Sequence, residues 1–209
     1  MTTLYNKIAN QSLDRLSALS DGVFAFAMTL LVLDLRLPVA SAVHTERDLL
    51  HVLAGLAPQI LLYLMSFITL GIFWNGQQTQ LNYLARSDRH LSWIHIAFLF
   101  AVTLVPFSTR LLAEFIGYRT ALLLYWLDIF WMGAVLYASW KYAQRAQLVR
   151  DDVPAEVCSA ICKRVVIAQS LYALGAAACV FNPRWSIAII LAVQLNYAIA
   201  PKFLQRARA

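Results

Sequence analysis

Long apolar segments separated by short polar stretches dominate the chain. Six segments are near the ~20 residues that a helix needs to cross a bilayer, and they cover residues 16–37, 49–76, 91–115, 120–142, 161–181 and 185–203. The ~10-residue alternating segments typical of a membrane β-barrel are not found. The pattern therefore predicts an all-α integral membrane protein, a six-transmembrane-helix bundle that forms one domain over residues 1–209.

Composition and charge agree with this pattern. Hydrophobic residues make up 61% of the chain and charged residues 13%, whereas a soluble domain is nearer one quarter charged. The net charge of +6 would suit nucleic acid, but basic residues that hold the topology at helix ends explain it better. We expect the lipid bilayer as a partner and no nucleic acid.

The basic residues are divided unevenly between the two ends of the predicted helices. Twelve of the 17 fall at one end, and Arg36, Arg47, Arg110, Arg119 and Arg184 fall at the other. Because the basic side faces the cytoplasm, we predict a multi-pass protein of a plasma membrane with both termini cytoplasmic. The Ala25-Phe26-Ala27 string lies inside the first apolar segment rather than after it, so we expect that segment to be retained rather than cleaved.

The first apolar segment contains a charge where a simple anchor would have none. It reads RLSALSDGVFAFAMTLLVLD from Arg15 to Asp34, which places Asp21 and Gly22 within the membrane-length stretch. A charge there costs roughly 2.5 to 3.5 kcal/mol on insertion scales, so we expect a packed, functional helix. Two interpretations of Asp21 stay open. It is either a buried hydrogen-bond acceptor, satisfied by Ser20, Arg15 or another helix, or a direct ion or proton site.

Helical periodicity places a stripe of mostly large apolar residues on one face of this segment. At 100° per residue, the stripe contains Leu19, Gly22, Phe26, Leu30, Leu33 and Leu37. Periodicity alone does not distinguish among lipid, protein and a narrow pore as its neighbour. Asp21 lies roughly 140° from Phe26 around the helix, so we expect its side chain to point into the subunit's own bundle.

Other polar residues within the apolar segments have two interpretations each. Asp128 is a candidate functional acid, because placing an ionisable residue inside a membrane costs free energy. The other interpretation is a buried partner for Arg110, His95 or a backbone group. Asp34 either concentrates cations at the outer end of the first helix or pairs with Arg36 or a neighbouring subunit. His95 is predicted to be a packed, hydrogen-bonded histidine rather than a ligand.

Enzymatic chemistry and resident cofactors find no support. The three cysteines, Cys158, Cys162 and Cys179, have no nearby histidine that would complete a metal site, and no nucleophile elbow, phosphate loop or paired metal-binding histidines are present. We therefore predict no catalytic residues, no metal site and no cofactor.

The residues of the first segment closely resemble the signature of the transmembrane protein 175 family, the potassium channels of bacteria and animal lysosomes. The resemblance lies in Arg15-x-x-x-Leu19-Ser20-Asp21-Gly22, followed by VFA at 23–25 and TLLVLD at 29–34. YLMSF at 63–67, GIFW at 71–74 and LVPFST at 104–109 also look like that family.

The resemblance implies a homotetramer in which four first helices line a central pore for K⁺, with apolar side chains as the constriction. A narrow apolar ring gates by excluding water. Carried over to this sequence, the constriction is Phe26, Leu30 and Leu33, the pore mouth is Leu37 and Asp34, and the helix-positioning residues are Arg15, Ser20, Asp21, Gly22 and Trp74.

The chain departs from the family pattern at three places. Leu19 stands where the motif usually has Phe, and Phe26 stands where the narrowest position is usually Ile. Gln77 and Gln78 stand where the family usually has histidine after Trp74. A hydrogen-bonding role survives the last change, whereas a titratable role does not.

Together with the resemblance, these observations predict a potassium-permeable cation channel of the bacterial plasma membrane, potassium-selective or weakly selective, with a hydrophobic gate. The alternative is a proton-coupled small secondary transporter that uses the intramembrane acids Asp21 and Asp128. A carrier site often lies between internal repeats, and no repeat is visible in this sequence. A non-conducting membrane scaffold is the third possibility.

Overall fold

A computed structural model describes residues 12–35 and 44–199, without the side chains of residues 198 and 199. These residues form seven α-helices. They are α1 Leu13–Leu33, α2 Glu46–Gly55, α3 Ala57–Asn82, α4 Arg89–Glu114, α5 Arg119–Arg145, α6 Ala155–Ala177, which a 3-10 turn over Ala178–Val180 extends, and α7 Pro183–Ile199.

Five of these helices are long and apolar enough to cross a bilayer: α1, α3, α4, α5 and α6 with its 3-10 turn. The chain is therefore an all-α, multi-pass membrane protein. The predicted sixth span corresponds to α7, which has 17 residues within the described range, and the predicted end at residue 203 lies outside the described residues. Leu37, the predicted end of the first span, also lies outside them.

The prediction of one continuous span over 49–76 is wrong. The segment is two helices, α2 and α3, which are separated at Leu56. Pro58 near the start of α3 lacks the N–H that would bond the carbonyl of Ala54, so the helical ladder is interrupted there. Beyond this break, α3 continues to Asn82, which is past the predicted end of the span but close to Tyr83, to which the sequence allows the helix to extend.

Short polar side chains set the beginnings of several helices. The Ser12 hydroxyl accepts from the backbone N–H of Arg15, and Asp88 accepts from that of Leu91 at 2.8 Å. Thr45 and Asp48 form a reciprocal capping box at the start of α2. These bonds satisfy N–H groups that have no partner within the first helical turn.

The core lies between α4 and α5, which pack together most extensively, while α1 lies against α3 and α4. α6 packs on α5, and α7 packs on α6 and α3. The largest fully buried side chains include Phe24, Leu62, Met65, Leu112, Leu122 and Tyr125. Because α1 is held from one side only, its opposite face has no neighbour within the described chain.

A buried hydrogen-bond network crosses the middle of the bundle. The Thr109 hydroxyl donates to Ser66 at 2.7 Å, Ser66 donates to the Tyr125 hydroxyl at 3.2 Å, and the Gln194 amide donates to Thr69 at 2.6 Å. These residues come from α3, α4, α5 and α7. Hydrogen bonds between helices help to hold a membrane protein together, because the hydrophobic effect does not drive helices to associate in lipid.

The turn between α3 and α4 is tied to the loop between α5 and α6. Ala85 N–H donates to the Leu148 carbonyl at 2.8 Å, and Arg150 N–H donates to the Tyr83 carbonyl at 3.0 Å. The Tyr142 hydroxyl adds a bond of 2.6 Å to Asp88. The two connections therefore form one polar end of the molecule.

We predict that Gly133→Ala destabilises the contact between α5 and α6. A Cβ at Gly133 would overlap the Gln169 side chain, whose amide donates to the Ile129 carbonyl at 3.3 Å. Displacing that amide should lower stability by about 1 to 3 kcal/mol, as overpacking does elsewhere. Thermal unfolding of purified protein in detergent measures the loss.

Gly71→Ala is the matched control, since no atom outside its own helix turn lies within 4 Å of the added carbon. It should unfold at or slightly above the wild-type temperature. Adding Gln169→Ala to Gly133→Ala should recover part of the loss, because the overlapping atoms are then removed. Equal stability of the two glycine variants would contradict the packing described here.

Candidate functional site on the first helix

The two sides of α1 differ sharply in burial. Leu16, Ser20, Phe24, Ala27 and Leu31 are buried against α3 and α4. On the other side, the exposed fractions are 47% for Leu19, 65% for Phe26 and 71% for Leu33. A helix this apolar, held on one side, presents its other face to lipid, to another subunit or to a pore.

The residues predicted as the constriction lie on or beside this exposed face. Phe26 and Leu33 are strongly exposed, whereas Leu30 is half-buried. Gly22 lies on the same face, with open space where a Cβ would project. We call Leu19, Phe26, Leu30 and Leu33 the apolar stripe.

A polar cluster of Ser20, Gln77 and His95 lies behind the stripe and joins α1 to α3 and α4. The Gln77 amide donates to the Ser20 hydroxyl at 2.8 Å, and that hydroxyl lies 2.8 Å from His95 Nε2. All three side chains are almost completely buried. We call these residues the buried anchor, because none of them has water as an alternative partner.

Asp21 forms a second connection between α1 and α3. Trp74 Nε1 and the Gln78 amide both donate to its Oδ1, at 2.8 and 2.7 Å. The Ser17 hydroxyl donates to the side-chain oxygen Oε1 of Gln78 at 3.1 Å. The partners of Asp21 are therefore on another helix of the same chain, as one interpretation expects, but the residue is exposed rather than buried in the bundle.

Arg15 takes no part in these bonds within the described residues. It is exposed near the start of α1, and the hydrogen bonds of Asp21 go to α3 instead. Its predicted role in positioning the helix therefore has no contact to support it.

Asp34 follows the last turn of α1 and lies near Arg110 of α4. The Arg110 guanidinium is 3.9 Å from Asp34 and 3.2 Å from Glu114. Both distances join exposed or half-exposed side chains, so the pairing is weak. Among the described residues, this cluster carries two carboxylates and one guanidinium.

The partners considered for Asp128 were incorrect. Its carboxylate accepts a hydrogen bond of 2.9 Å from Ser108, on α4, rather than pairing with Arg110 or His95. The other carboxylate oxygen is buried and without a hydrogen-bond partner among the described residues. Arg110 is instead near Asp34 and Glu114, and His95 is part of the buried anchor.

The sequence of this chain is similar to that of known proteins. Residues 15–106 match the family model for the endosomal/lysosomal potassium channel TMEM175. A potassium channel from Streptomyces collinus is 34% identical over 148 residues, which cover 68% of this chain and 70% of that protein. A potassium channel from Chamaesiphon minutus is 31% identical over 190 residues, which cover 88% and 93%. This chain belongs to the transmembrane protein 175 family.

A solved structure agrees with the assignment to the transmembrane protein 175 family. The crystal structure of a lysosomal potassium-selective channel TMEM175 homolog from Chamaesiphon minutus superimposes with a TM-score of 0.78. It is 28% identical in sequence, and the match covers 94% of this chain and 98% of that chain. The names of these relatives are those of ion channels, which agrees with the prediction that the chain is not an enzyme.

The buried anchor was only partly foreseen from the sequence. His95 was expected to be a satisfied packing residue and Gln77 to keep a hydrogen-bonding role, but their common bond to Ser20 was not. The available signal was the spacing of Trp74, Gln77 and Gln78 along α3, which places polar side chains three and four residues apart on neighbouring turns.

In this member of the transmembrane protein 175 family, we predict that Ser20→Ala destabilises the fold more than Ser17→Ala. Ser20→Ala leaves the Gln77 amide and His95 buried without that partner, which should cost about 1 to 3 kcal/mol. Ser17→Ala removes a half-buried bond near the helix start and should cost less, roughly 0.5 kcal/mol. Thermal unfolding in one detergent compares them, and equal losses would contradict the buried anchor.

Proposed function

We propose that the chain is one subunit of a potassium-permeable cation channel of a plasma membrane, in which four copies of α1 surround the pore. The observation that carries this proposal is the apolar stripe. It faces away from its own bundle, while the buried anchor holds the opposite side of the same helix. The relatives named as potassium channels support the identity of the ion.

Apolar side chains can control an ion path without binding the ion. A narrow ring of Phe26, Leu30 and Leu33 would exclude water and so impose a barrier on hydrated ions. Aromatic faces attract cations, so a ring of Phe26 side chains is more compatible with cations than an aliphatic ring of the same width. Selectivity among cations would follow from how far these rings open.

The charge near the end of α1 favours cations over anions. Among the described residues of the cluster there, the two carboxylates of Asp34 and Glu114 lie beside one guanidinium, that of Arg110. Four such clusters around a mouth would raise the local cation concentration. Leu37, which lies outside the described residues, is the other residue that we assign to this mouth.

A second apolar feature supports assembly through α1. A groove of about 470 Å³ contains Leu19, Phe26 and Leu30 of the stripe, and its other lining residues are Ala18, Gly22, Val23, Ala27 and Thr103. Small residues allow membrane helices to approach closely. We propose that a neighbouring subunit packs against the small residues of this groove, Ala18 and Gly22, while Phe26 and Leu30 of the same groove face the axis.

The topology that we propose has both termini in the cytoplasm and six membrane-spanning helices, with α7 as the last. The basic side chains near the polar end, between α3 and α4 and between α5 and α6, then face the cytoplasm in accordance with the positive-inside rule. Asp34 would lie at the opposite, outer mouth.

We predict that Leu33→Ala and Phe26→Ala increase potassium flux or weaken discrimination against sodium, because a wider ring holds water more easily. Each tenfold change in rate corresponds to about 1.4 kcal/mol of barrier. Purified protein in liposomes, with imposed potassium or sodium gradients, provides the measurement.

The matched control for the flux experiment is Leu174→Ala. Leu174 is 69% exposed on α6, close to the 71% of Leu33 on α1, so the two substitutions remove the same side chain at equal exposure. Flux should be unchanged in Leu174→Ala. If all three variants conduct like the wild type, the assignment of the pore face is wrong.

The same liposomes separate the channel from a proton-coupled carrier. A carrier that uses Asp21 and Asp128 would transport slowly, require a proton gradient and lose coupled uptake in Asp128→Asn. The two acids bond to different residues, Trp74 and Gln78 in one case and Ser108 in the other. Loss of coupled uptake in Asp128→Asn, with no effect at the stripe, would support the carrier instead.

We expect the purified protein to have four times the mass of the 23.5 kDa chain. Native mass spectrometry from detergent counts the subunits directly. The double variant Gly22→Leu and Ala18→Leu should lose the tetramer, because bulky side chains would fill the groove. A monomeric wild-type protein that still conducts would contradict a central pore of four helices.

A further inference from the structure

The ends of α5 and α6 form a basic groove that the proposed pore does not use. This groove has a volume of about 570 Å³ and is lined by Lys141, Arg150, Asp151, Cys158, Cys162 and Lys163, among others. It lies at the polar end of the bundle, next to the loop that joins the two helices. On the basis of the loop charges, this end meets the cytoplasmic membrane surface.

The free charge in this groove comes mainly from two lysines. Arg150 is engaged with Asp152 through two bonds of 2.9 and 3.0 Å. The bond from Arg150 lowers the pKa of Asp152, and the two opposite charges of this pair cancel in the local net charge. That leaves Lys141 and Lys163 against the single carboxylate of Asp151, an arrangement that attracts anions.

An apolar groove continues between the same two helices in the direction of the membrane. Its volume is about 290 Å³, and Gly133, Ala134, Tyr137, Val166 and Ala173 contribute to its lining. Tyr137 connects the two parts, since Lys141 Nζ lies 5.8 Å from the centre of its ring. Small residues on both helices make room for a chain to lie along this seam.

The outer side of α6 is the least covered surface among the long helices. In the 18-residue apolar stretch of α6, only 6% is buried inside the protein, whereas the buried share is 28% or more in the corresponding stretches of the other four long helices. Val166, Ile167 and Leu174 are all more than half exposed. The apolar groove therefore borders a face that is suited to contact with acyl chains.

We propose that the combined groove binds one anionic phospholipid, with its phosphate between Lys141 and Lys163 and an acyl chain along the apolar part. Basic pockets between membrane helices on the cytoplasmic side are suited to such headgroups. The lysine stems can lie along the apolar surface while their ammonium groups reach the phosphate. A free phosphate ion would use only the basic half.

Thermal unfolding in a neutral detergent tests the charge requirement. Phosphatidylglycerol should raise the unfolding temperature of the wild type above that in phosphatidylcholine, because a ligand that binds only the folded state stabilises it. The Lys141→Gln, Lys163→Gln double variant should lose most of this difference, and Asp151→Asn should increase it. Comparing the two lipids within each variant removes any effect of the substitutions on basal stability.

Arg164→Gln is the matched control. Arg164 is next to Lys163 in the sequence, but the Arg164 side chain lines a different cavity, which residues of α3 also line. This variant should respond to phosphatidylglycerol as the wild type does. An equal response to both lipids in the wild type, or an undiminished response in the double lysine variant, would overturn the proposal.

The cysteines locate the bound lipid independently. Cys158 and Cys162 line the basic groove and are half-buried, while Cys179 is buried elsewhere and serves as the internal reference. Phosphatidylglycerol should slow the reaction of the first two thiols with a small maleimide, and phosphatidylcholine should not. Equal protection by inorganic phosphate would assign the groove to a free anion and overturn the lipid assignment.

Discussion

The hydrocarbon core of a bilayer offers no water, so each polar group on the first helix must find its partner inside the protein. Ser20 and Asp21 are consecutive and therefore project about 100° apart around α1. Ser20 bonds to Gln77 and His95, and Asp21 bonds to Trp74 and Gln78. Two connections at different angles fix the rotation of the helix, and this rotation turns the apolar stripe away from the bundle.

The energies involved show why these polar residues matter more for orientation than for stability. An acid placed in a membrane helix costs roughly 2.5 to 3.5 kcal/mol. Hydrogen bonds to a charged group return about 1.5 to 3 kcal/mol each, so the two bonds to Asp21 approximately offset the cost of its charge. Its contribution is to the orientation of α1, because rotating the helix away from this position would break both bonds to α3.

Patterns that depend on neighbouring residues along the chain were predictable from the sequence. The 3.6-residue period placed Phe26 and Leu33 on one face, and the apolar segments identified the long helices. The break at Leu56 also has a local cause, Pro58, but hydropathy did not reveal the break because Pro58 lies near the start of a hydrophobic segment. Proline is tolerated in the first turn of a helix, and its effect there was to end the preceding helix.

The partners of the buried polar groups were not predictable in the same way. Asp128 bonds to Ser108, twenty residues earlier, and Ser20 lies beside His95, seventy-five residues later. The residues that come into contact depend on how each helix is rotated about its axis and on how far it is shifted along the membrane normal relative to its neighbour. A single sequence constrains these only weakly, since several hydroxyl, amide and imidazole groups could satisfy the same acid or hydroxyl.

The effect of the large Phe26 side chain on the proposed pore depends on the residue one turn earlier in α1. Aromatic side chains on a helix lean toward its N-terminus and cover the turn before their own Cα. Four residues before Phe26 that turn carries Gly22, and both residues line the same groove. The ring can therefore lie back over a position with no side chain instead of projecting straight toward an axis. In that arrangement Phe26 would narrow the proposed pore less than its volume implies. Leu30 and Leu33, which have Phe26 and Thr29 one turn earlier, would then contribute a comparable share of the proposed constriction.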